Sequence, residues 1–278
     1  MKFVKSHGLG NDYIIIDGKQ LKKKLSKKTI VKICDRNFGI GSDGILILDK
    51  SKKADFKLII YNPDGTQAEK SGNGLRIFSS FLFNHGYTKK KVFTIETRGG
   101  IVTSEFINKT KNISYFKVDM GKAEFKSKNI PVKIKEILAV SKKIKIKNKT
   151  FVFTSVSVGN PHCVIFLKQI SSKIAKEYGP YIETNKIFPK RINVQFAKII
   201  NRNKVEAEIW ERGAGYTLAS GSSSCAIVSA GYKLGLLDNE VKVKMPGGTL
   251  KISIDKNYNL NMEGPVEEIC TGNLSFNE

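Results

Sequence analysis

A set of residues recurs along the chain at an almost constant spacing, and this repeat narrows the possible folds more than any other feature. Residues of the first half are matched 149 positions later by residues of the same type or in the same local pattern, in the same order. The matched pairs are Asn11 with Asn160, Asn62 with Glu211, Ser71-Gly72 with Ser220-Gly221, and Gly86 with Gly235, and the pair Gly99-Gly100 with Gly247-Gly248 follows at 148. The repeat predicts two similar domains related by a pseudo-twofold.

Short apolar runs of strand length alternate with a few amphipathic segments. Residues 13–17, 45–48 and 57–61 are rich in Ile, Leu and aromatic side chains, as strands are. Residues 26–36 predict a helix capped by Ser26, and residues 75–84 predict a second helix that Gly86 ends. Residues 91–97 and 101–106 flank Arg98-Gly99-Gly100 and predict a hairpin. The fold class we expect is α/β (α+β).

The length and charge pattern suggest where the domains begin and end. We expect an N-terminal domain over residues 1–121, a C-terminal domain over 122–263, and a tail over 264–278 that returns to the first domain. A linker is expected roughly between residues 121 and 150, where charge is high and structural signals are weak. Ligand sites in two-domain proteins commonly lie in the cleft between the domains. Equivalent residues, Ser71 and Ser220 above all, are then expected to face each other there.

Composition excludes several function classes. No run of about 18 apolar residues predicts a membrane span, and the N-terminus lacks the apolar run of a signal peptide, so we expect a soluble cytoplasmic protein. The formal net charge is +23, but lysine supplies most of it, whereas nucleic-acid surfaces favour the planar fork of arginine. Specific nucleic-acid binding is therefore disfavoured. The spacing of the four cysteines and three histidines indicates no metal site.

Glycine and small hydroxyl residues precede the central helix predicted in each half. Such a segment presents free backbone N–H groups at the positive end of the helix dipole, and this suits an anion. Two such ends can bind one α-carboxylate and stabilise the charge that develops when its α-proton leaves. Neighbouring Asn and Glu side chains can hold an ammonium group, and Arg212 can bind a distal carboxylate.

Each signal also has a purely structural interpretation. Ser-Gly before an apolar run is most often an ordinary N-cap, Asn-Pro-Asp-Gly is a common turn sequence, and a single His162 is more often structural than catalytic. The segment from Gly39 to Gly44 fits G-x-G-x-x-G, but a strand pattern follows it rather than a helix, so the dinucleotide-binding interpretation fails. Only the joint pattern at one offset favours a functional site.

These motifs together resemble the diaminopimelate epimerase family over nearly the whole chain. The resemblance rests on His7-Gly8-Leu9-Gly10-Asn11-Asp12, Gly159-Asn160-Pro161-His162 and Glu211-Arg212-Gly213-Ala214-Gly215, and it extends to Met262-Glu263-Gly264-Pro265. It implies two pseudo-symmetric domains, each a mixed sheet wrapped around a central helix. It also implies a homodimer that interconverts LL- and meso-diaminopimelate in lysine biosynthesis, with neither pyridoxal phosphate nor a metal.

The resemblance also implies which residues form the site. The catalytic candidates are Ser71 and Ser220 at the two base positions, with His162 and Glu211 beside them. Some family members have a substrate-contacting Gln where this chain has Gly44, so that contact is absent here. The substrate-binding candidates are Asn11, Asn62, Gly72, Asn73, Asn160, Asn193, Glu211, Arg212, Gly221 and Ser222.

Both base positions carry serine where the family has cysteine, and Cys225 lies too far into its helix to substitute. A thiol near pKa 8.5 yields a thiolate at neutral pH when a helix N-terminus assists it, whereas a serine hydroxyl needs an adjacent base. Three explanations stay open: an inactivated double mutant, a natural variant with another substrate or step, and an amino-acid-binding protein that kept the pocket. A basic RNA-associated protein is a further, disfavoured alternative.

Overall fold

The computed structural model describes residues 1–275, and they form two compact units. The first comprises Met1–Asp119 and the segment from Glu263 onward, and the second comprises Met120–Met262. Strands dominate both units, and each holds two α-helices. The fold is therefore mixed α+β, as the sequence predicts.

The elements of the first unit follow one another closely along the chain. They are β1 (Lys2–Gly8), β2 (Asn11–Asp17), a 3-10 turn (Gly18–Gln20), α1 (Lys27–Cys34), β3 (Ile45–Asp49), β4 (Phe56–Tyr61), β5 (Gln67–Ala68), α2 (Gly72–Asn84), β6 (Val92–Thr97), β7 (Gly100–Thr110) and β8 (Ile113–Lys122).

Apart from one added strand at its start, the second unit repeats this order of strands and α-helices. Its elements, with the last strand continuing into the first unit, are β9 (Lys142–Ile146), β10 (Lys149–Ser157), β11 (Pro161–Phe166), α3 (Ser172–Glu183), β12 (Asn193–Asn201), β13 (Lys204–Glu211), β14 (Gly215–Thr217), α4 (Gly221–Lys233), β15 (Glu240–Met245), β16 (Gly248–Ile254) and β17 (Asn259–Asn273).

The two units also share their pattern of strand pairing. In the first, β2 pairs with β3 in parallel, β3 with β4 antiparallel, β4 with β6 in parallel, and β6 with β7 antiparallel. In the second, the corresponding pairs β11–β12, β12–β13, β13–β15 and β15–β16 have the same directions. The repeat seen in the sequence is thus a repeat of topology.

A central helix is enclosed within each unit. Every residue of α2 from Asn73 to Leu82 is buried, and so is every residue of α4 from Ser223 to Gly231. Because nine or ten consecutive helical positions cover all sides of a helix, such burial requires protein on every side. The strands β1, β2 and β7 pack around α2, and β10, β11, β12, β15 and β16 pack around α4. The central helices are therefore held rigidly, with their first turns at fixed positions.

The linker expected over residues 121–150 is wrong. This segment belongs to the second unit, contains β9, and contributes Ile130, Val132, Ala139 and Ile144 to the core of that unit. Its many lysines hide the pattern, because β9 alternates exposed or half-buried lysines with buried isoleucines. Such alternation is typical of a strand with one solvated face.

The last part of the chain completes the sheet of the first unit. Residues Glu267 to Asn273 of β17 pair antiparallel with β1. The backbone N–H of Leu274 donates to the carbonyl of Met1 over 2.7 Å, and the N-terminal ammonium donates to the carbonyl of Leu274 over 3.2 Å. The two ends of the described chain are therefore fixed beside each other.

Candidate active site

The first turns of α2 and α4 have nearly the same geometry. Ser71 and Ser220 are the N-caps, with φ and ψ of −139° and 118° at Ser71 and −146° and 123° at Ser220. Each hydroxyl oxygen accepts from the backbone N–H three residues later, over 3.0 Å from Gly74 and 3.4 Å from Ser223. Both serines therefore make the ordinary capping bond, and any chemistry would come in addition to it.

Each of these helix ends also presents two backbone donors. Within residues 1–275, the N–H groups of Gly72 and Asn73 have no acceptor, and neither do those of Gly221 and Ser222. Together with the helix dipole, a pair of such N–H groups suits a carboxylate oxygen. The four residues are among those that the sequence marks as substrate-binding candidates.

A chain of hydrogen bonds fixes the amides beside Ser71. The fully buried guanidinium of Arg76 donates to Oδ1 of Asn73 over 2.8 Å, and Nδ2 of Asn73 donates to Oδ1 of Asn11 over 3.1 Å. Nδ2 of Asn11 then donates to Asp43 over 2.7 Å. Because an arginine can only donate, it orients the Asn73 amide and through it the Asn11 amide. Each amide retains a second N–H, and such donors suit a carboxylate.

Ion pairs of Asp12 and Asp43 hold these hydrogen-bonded amides in place. Arg36 donates to Asp12 over 2.7 Å and to Asp43 over 2.8 Å, and Lys5 lies 3.1 Å from Asp12. Although burial raises the pKa of Asp12, the bonds from Arg36 and Lys5 outweigh it and lower the pKa below its usual value. Asp12 is thus held as a carboxylate, and the backbone next to Asn11 is fixed.

Asn62 and Glu211 open equivalent turns. In each, the backbone N–H three residues later donates to their carbonyl, over 2.9 Å from Gly65 and 3.2 Å from Ala214. The Asn62 amide donates to Oγ1 of Thr66 over 2.9 Å. The Glu211 carboxylate accepts from Oγ1 of Thr217 over 2.8 Å and from Oγ of Ser220 over 3.3 Å. A carboxylate within reach of the Ser220 hydroxyl is the arrangement in which serine can lose a proton.

His162 is completely buried and its ring is held at both nitrogens. Nε2 lies 2.8 Å from Oδ1 of Asn160, and Nδ1 lies 3.0 Å from Nε2 of Gln195, which also donates to Ser223. Since the Gln195 amide nitrogen can only donate, Nδ1 accepts and Nε2 carries the proton. Burial lowers the pKa of His162 to about 3, and the charge of Arg212 acts in the same direction. The ring is therefore neutral and orients the Asn160 amide.

A buried carboxylate holds the loop that carries Arg212. The side chain of Glu183 is bonded to the backbone N–H of Gly213 over 2.9 Å, to the indole of Trp210 over 2.7 Å and to Arg191 over 2.6 Å. Oδ1 of Asn193 accepts from the Arg212 N–H over 3.0 Å, while the Arg212 guanidinium donates to the carbonyl of Lys190. The guanidinium thus lies at the surface on a loop whose backbone is fixed.

Sequence reasoning missed the groups that orient the site. Gly44 has no room for a side chain, because a Cβ there would lie 2.8 Å from the ring of Tyr13 and 2.5 Å from the carbonyl of Tyr61. Tyr13, Asp43 and Arg76 lie next to motifs in the sequence, which is only a weak signal of a role in the site. Gln195, Thr217 and Glu183 have no such signal, because they join the site through tertiary contacts.

Comparison with known proteins identifies the chain. The family model described as diaminopimelate epimerase matches residues 3–126 and 154–269. The chain belongs to this family. It is 49% identical to diaminopimelate epimerase 2 of Nostoc sp. over 276 aligned residues. The alignment covers 99% of this chain and 96% of that protein. It is 39% identical to diaminopimelate epimerase of Halothermothrix orenii, over 100% of this chain and 99% of that one. The chain is therefore an enzyme of the isomerase class.

Solved structures agree on the fold of this epimerase family. A hydroxyproline epimerase from Agrobacterium vitis aligns with a TM-score of 0.73 over 98% of this chain and 90% of that one. A probable proline racemase from Agrobacterium radiobacter aligns with a TM-score of 0.72 over 99% and 93%. Both are 12% identical to the chain, so the likeness shows the fold alone.

The described residues contain neither a candidate membrane span nor a candidate metal-binding cluster. Within residues 1–275, no helix is both long and apolar enough to cross a membrane. In the same part of the chain, no group of three or more His, Cys, Asp or Glu side chains is placed to hold a metal ion. Of the four cysteines, Cys34, Cys163 and Cys225 are buried and Cys270 is exposed. Cys225 is fully buried in α4, five positions after the capping residue Ser220.

Proposed function

We propose that this chain interconverts LL- and meso-diaminopimelate without a cofactor, using the serine hydroxyls where the family has thiols. One hydroxyl, assisted by a neighbouring group, removes the α-proton, and the other returns a proton to the opposite face of the α-carbon. Proton transfer through positioned side chains is a common source of rate enhancement. We also propose that the enzyme works as a cytoplasmic homodimer in lysine biosynthesis.

The contact between Ser220 and Glu211 carries this proposal. A serine hydroxyl is a poor base alone, but a carboxylate 3.3 Å from it can accept its proton while Oγ takes the α-proton of the substrate. The α-carboxylate is bound by the N–H groups that begin α2 and α4, with Asn11, Asn62, Asn73, Asn160 and Asn193 as further binding groups. His162 acts as a positioning residue for Asn160.

Exchange of the substrate α-proton tests this function directly. In deuterated water the wild-type chain should incorporate deuterium at the reacting α-carbon of diaminopimelate and form the other isomer, as followed by NMR. The double variant Ser71→Ala with Ser220→Ala should bind diaminopimelate but abolish both changes, because neither hydroxyl remains. A wild-type chain that binds diaminopimelate without exchange or inversion would show that catalysis has been lost.

The Arg212 side chain should determine affinity for the distal carboxylate. Calorimetry of Arg212→Ala should show diaminopimelate binding weakened by about 1.5–3 kcal/mol, as expected for loss of a charged hydrogen bond. Arg202→Ala is the matched control, since Arg202 is also exposed but binds Asp238 over 2.7 Å. Equal affinities in the two variants would exclude Arg212 from the binding site.

A non-catalytic amino-acid-binding protein is the second candidate. One observation favours it: both serines make N-cap bonds, a structural role that explains serine at these positions without any proton transfer. The exchange experiment separates the candidates, because a binding protein retains affinity for diaminopimelate and leaves its α-proton in place.

A further inference from the structure

Tyr13 lies beside the candidate base position Ser71, and the proposed function leaves its role open. Its side chain is 8% exposed, and its phenol oxygen lies 3.2 Å from Oγ of Ser71. The position follows from Gly44, because any Cβ at residue 44 would overlap the Tyr13 ring. The tyrosine thus occupies space that a side chain at residue 44 would need, and it approaches the serine.

The direction of the hydrogen bond between Tyr13 and Ser71 follows from acidity. A phenol, with a pKa near 10, is a far stronger acid than an aliphatic hydroxyl and is the better donor. Ser71 Oγ already accepts from the Gly74 N–H over 3.0 Å. With the phenol as a second donor, the oxygen accepts two hydrogen bonds, and its own proton is left for a ligand.

Ser220 has the opposite surroundings. Its oxygen lies 3.3 Å from a carboxylate oxygen of Glu211, and a carboxylate can only accept. The capping bond that Ser220 accepts is also longer, 3.4 Å against 3.0 Å at Ser71. Two donors favour negative charge on the first serine oxygen, whereas a carboxylate opposes it on the second.

We propose that Tyr13 is a positioning residue that makes Ser71 the proton donor, while Glu211 makes Ser220 the proton acceptor in the same turnover. This inference rests on the proposed function. At Ser71 the O–H bond breaks, a C–H bond forms on the substrate carbanion, and the oxygen is left negative. The N–H of Gly74 and the phenol of Tyr13 stabilise this anion. The phenol then returns a proton to Oγ, water reprotonates the phenolate, and the hydroxide so formed takes the proton that Glu211 received from Ser220. The reverse reaction uses the same steps backwards.

Cysteine placed at each position reports these surroundings without requiring turnover. We would prepare Ser71→Cys and Ser220→Cys separately and titrate the ultraviolet absorbance of each thiolate as a difference from the unsubstituted chain. The thiol at position 71 should titrate at least about one pH unit below the thiol at position 220, because donors stabilise one anion and a carboxylate repels the other.

Second substitutions identify the responsible groups. Adding Tyr13→Phe to Ser71→Cys should raise the thiol pKa by about half a unit to one unit, since a hydrogen bond to the anion is lost. Adding Glu211→Gln to Ser220→Cys should lower that thiol pKa. Tyr87→Phe is the matched control, because the Tyr87 phenol donates instead to Asp17 over 2.8 Å, and it should leave the position 71 thiol unchanged.

The possible results separate the inference from the proposed function. If the thiol at position 71 has the same pKa in Ser71→Cys with and without Tyr13→Phe, the proposed role of Tyr13 is wrong, whatever the activity of the enzyme. If Tyr13→Phe fails to fold, a fluorinated tyrosine incorporated at residue 13 tests the same contact, because a more acidic phenol donates more strongly and should lower the thiol pKa. A wild-type chain without α-proton exchange would refute the proposed function, while the titrations would still decide the surroundings of the two positions.

Discussion

Replacing Ser71 and Ser220 together by cysteine should raise the rate of diaminopimelate epimerisation by about a hundredfold or more. A thiol near pKa 8.5 at a helix N-terminus supplies a thiolate near neutral pH, whereas the serine hydroxyl must lose a proton that it holds far more tightly. The binding groups around both positions remain. The measurement is kcat/KM for interconversion of the two isomers, compared with the wild-type chain.

Each single replacement should have a much smaller effect on inversion. Inversion needs an acceptor on one face of the α-carbon and a donor on the other, so one serine would still limit the reaction. A single cysteine can nevertheless support exchange of the α-proton on its own face. Comparing exchange with inversion in Ser71→Cys and in Ser220→Cys therefore measures the two faces separately.

Thermal unfolding serves as the control for the double-cysteine variant. The hydroxyl oxygens of both serines accept the capping hydrogen bonds of α2 and α4, so their loss should destabilise the chain by about 0.5–2 kcal/mol at each cap. A folded double-cysteine variant that binds diaminopimelate but stays inactive would show that this chain differs functionally from its family at more than the two base positions. A wild-type chain that is equally fast would show that its serines are already activated by their neighbours.

Replacing Glu211 by glutamine should lower kcat/KM by roughly 10²–10⁴, the usual contribution of a positioned general base. The amide keeps the size of the side chain but cannot take the proton of Ser220. The hydrogen bond from Thr217 can still form to the amide oxygen, so the turn is expected to remain folded. The rate of α-proton exchange provides the measurement.

Glu208→Gln is the control for this loss. Glu208 lies on the same strand, β13, and accepts from the Tyr216 hydroxyl over 2.7 Å rather than from Ser220. This variant should exchange the α-proton at the wild-type rate. Comparable losses in both variants would point to a general disturbance of β13 rather than to removal of a base.

The apolar patterns and capping residues predict the fold class and the helices, and the repeat predicts that both halves share them. Ser71 and Ser220, Gly86 and Gly235 recur because each central helix begins and ends at a position with special backbone demands. Both glycines have positive φ, 76° and 70°, which glycine adopts without strain. Residues constrained by local backbone geometry can be recognised from a single sequence.

Residues that act through distant contacts could not be predicted in this way. The phenol of Tyr13 reaches Ser71 across 58 positions, and Glu183 reaches Gly213 across 30. Neither contact leaves a local pattern, since tyrosine and glutamate fit many places in a fold. The prediction of a linker around β9 is wrong for a related reason: abundant lysine hides the buried isoleucines that make this segment part of the core.

The pairing of β1 with the end of β17 has a consequence for folding during synthesis. The sheet of the first unit lacks this pairing until the ribosome has made residues 267–273, whereas the second unit is one continuous segment. Ribosomes add roughly 5–20 residues per second, so residues 267–273 are made on the order of ten seconds after the main segment of the first unit. During this time β1 has one unpaired edge, which can associate with other chains. The segment translated second is thus free to fold first.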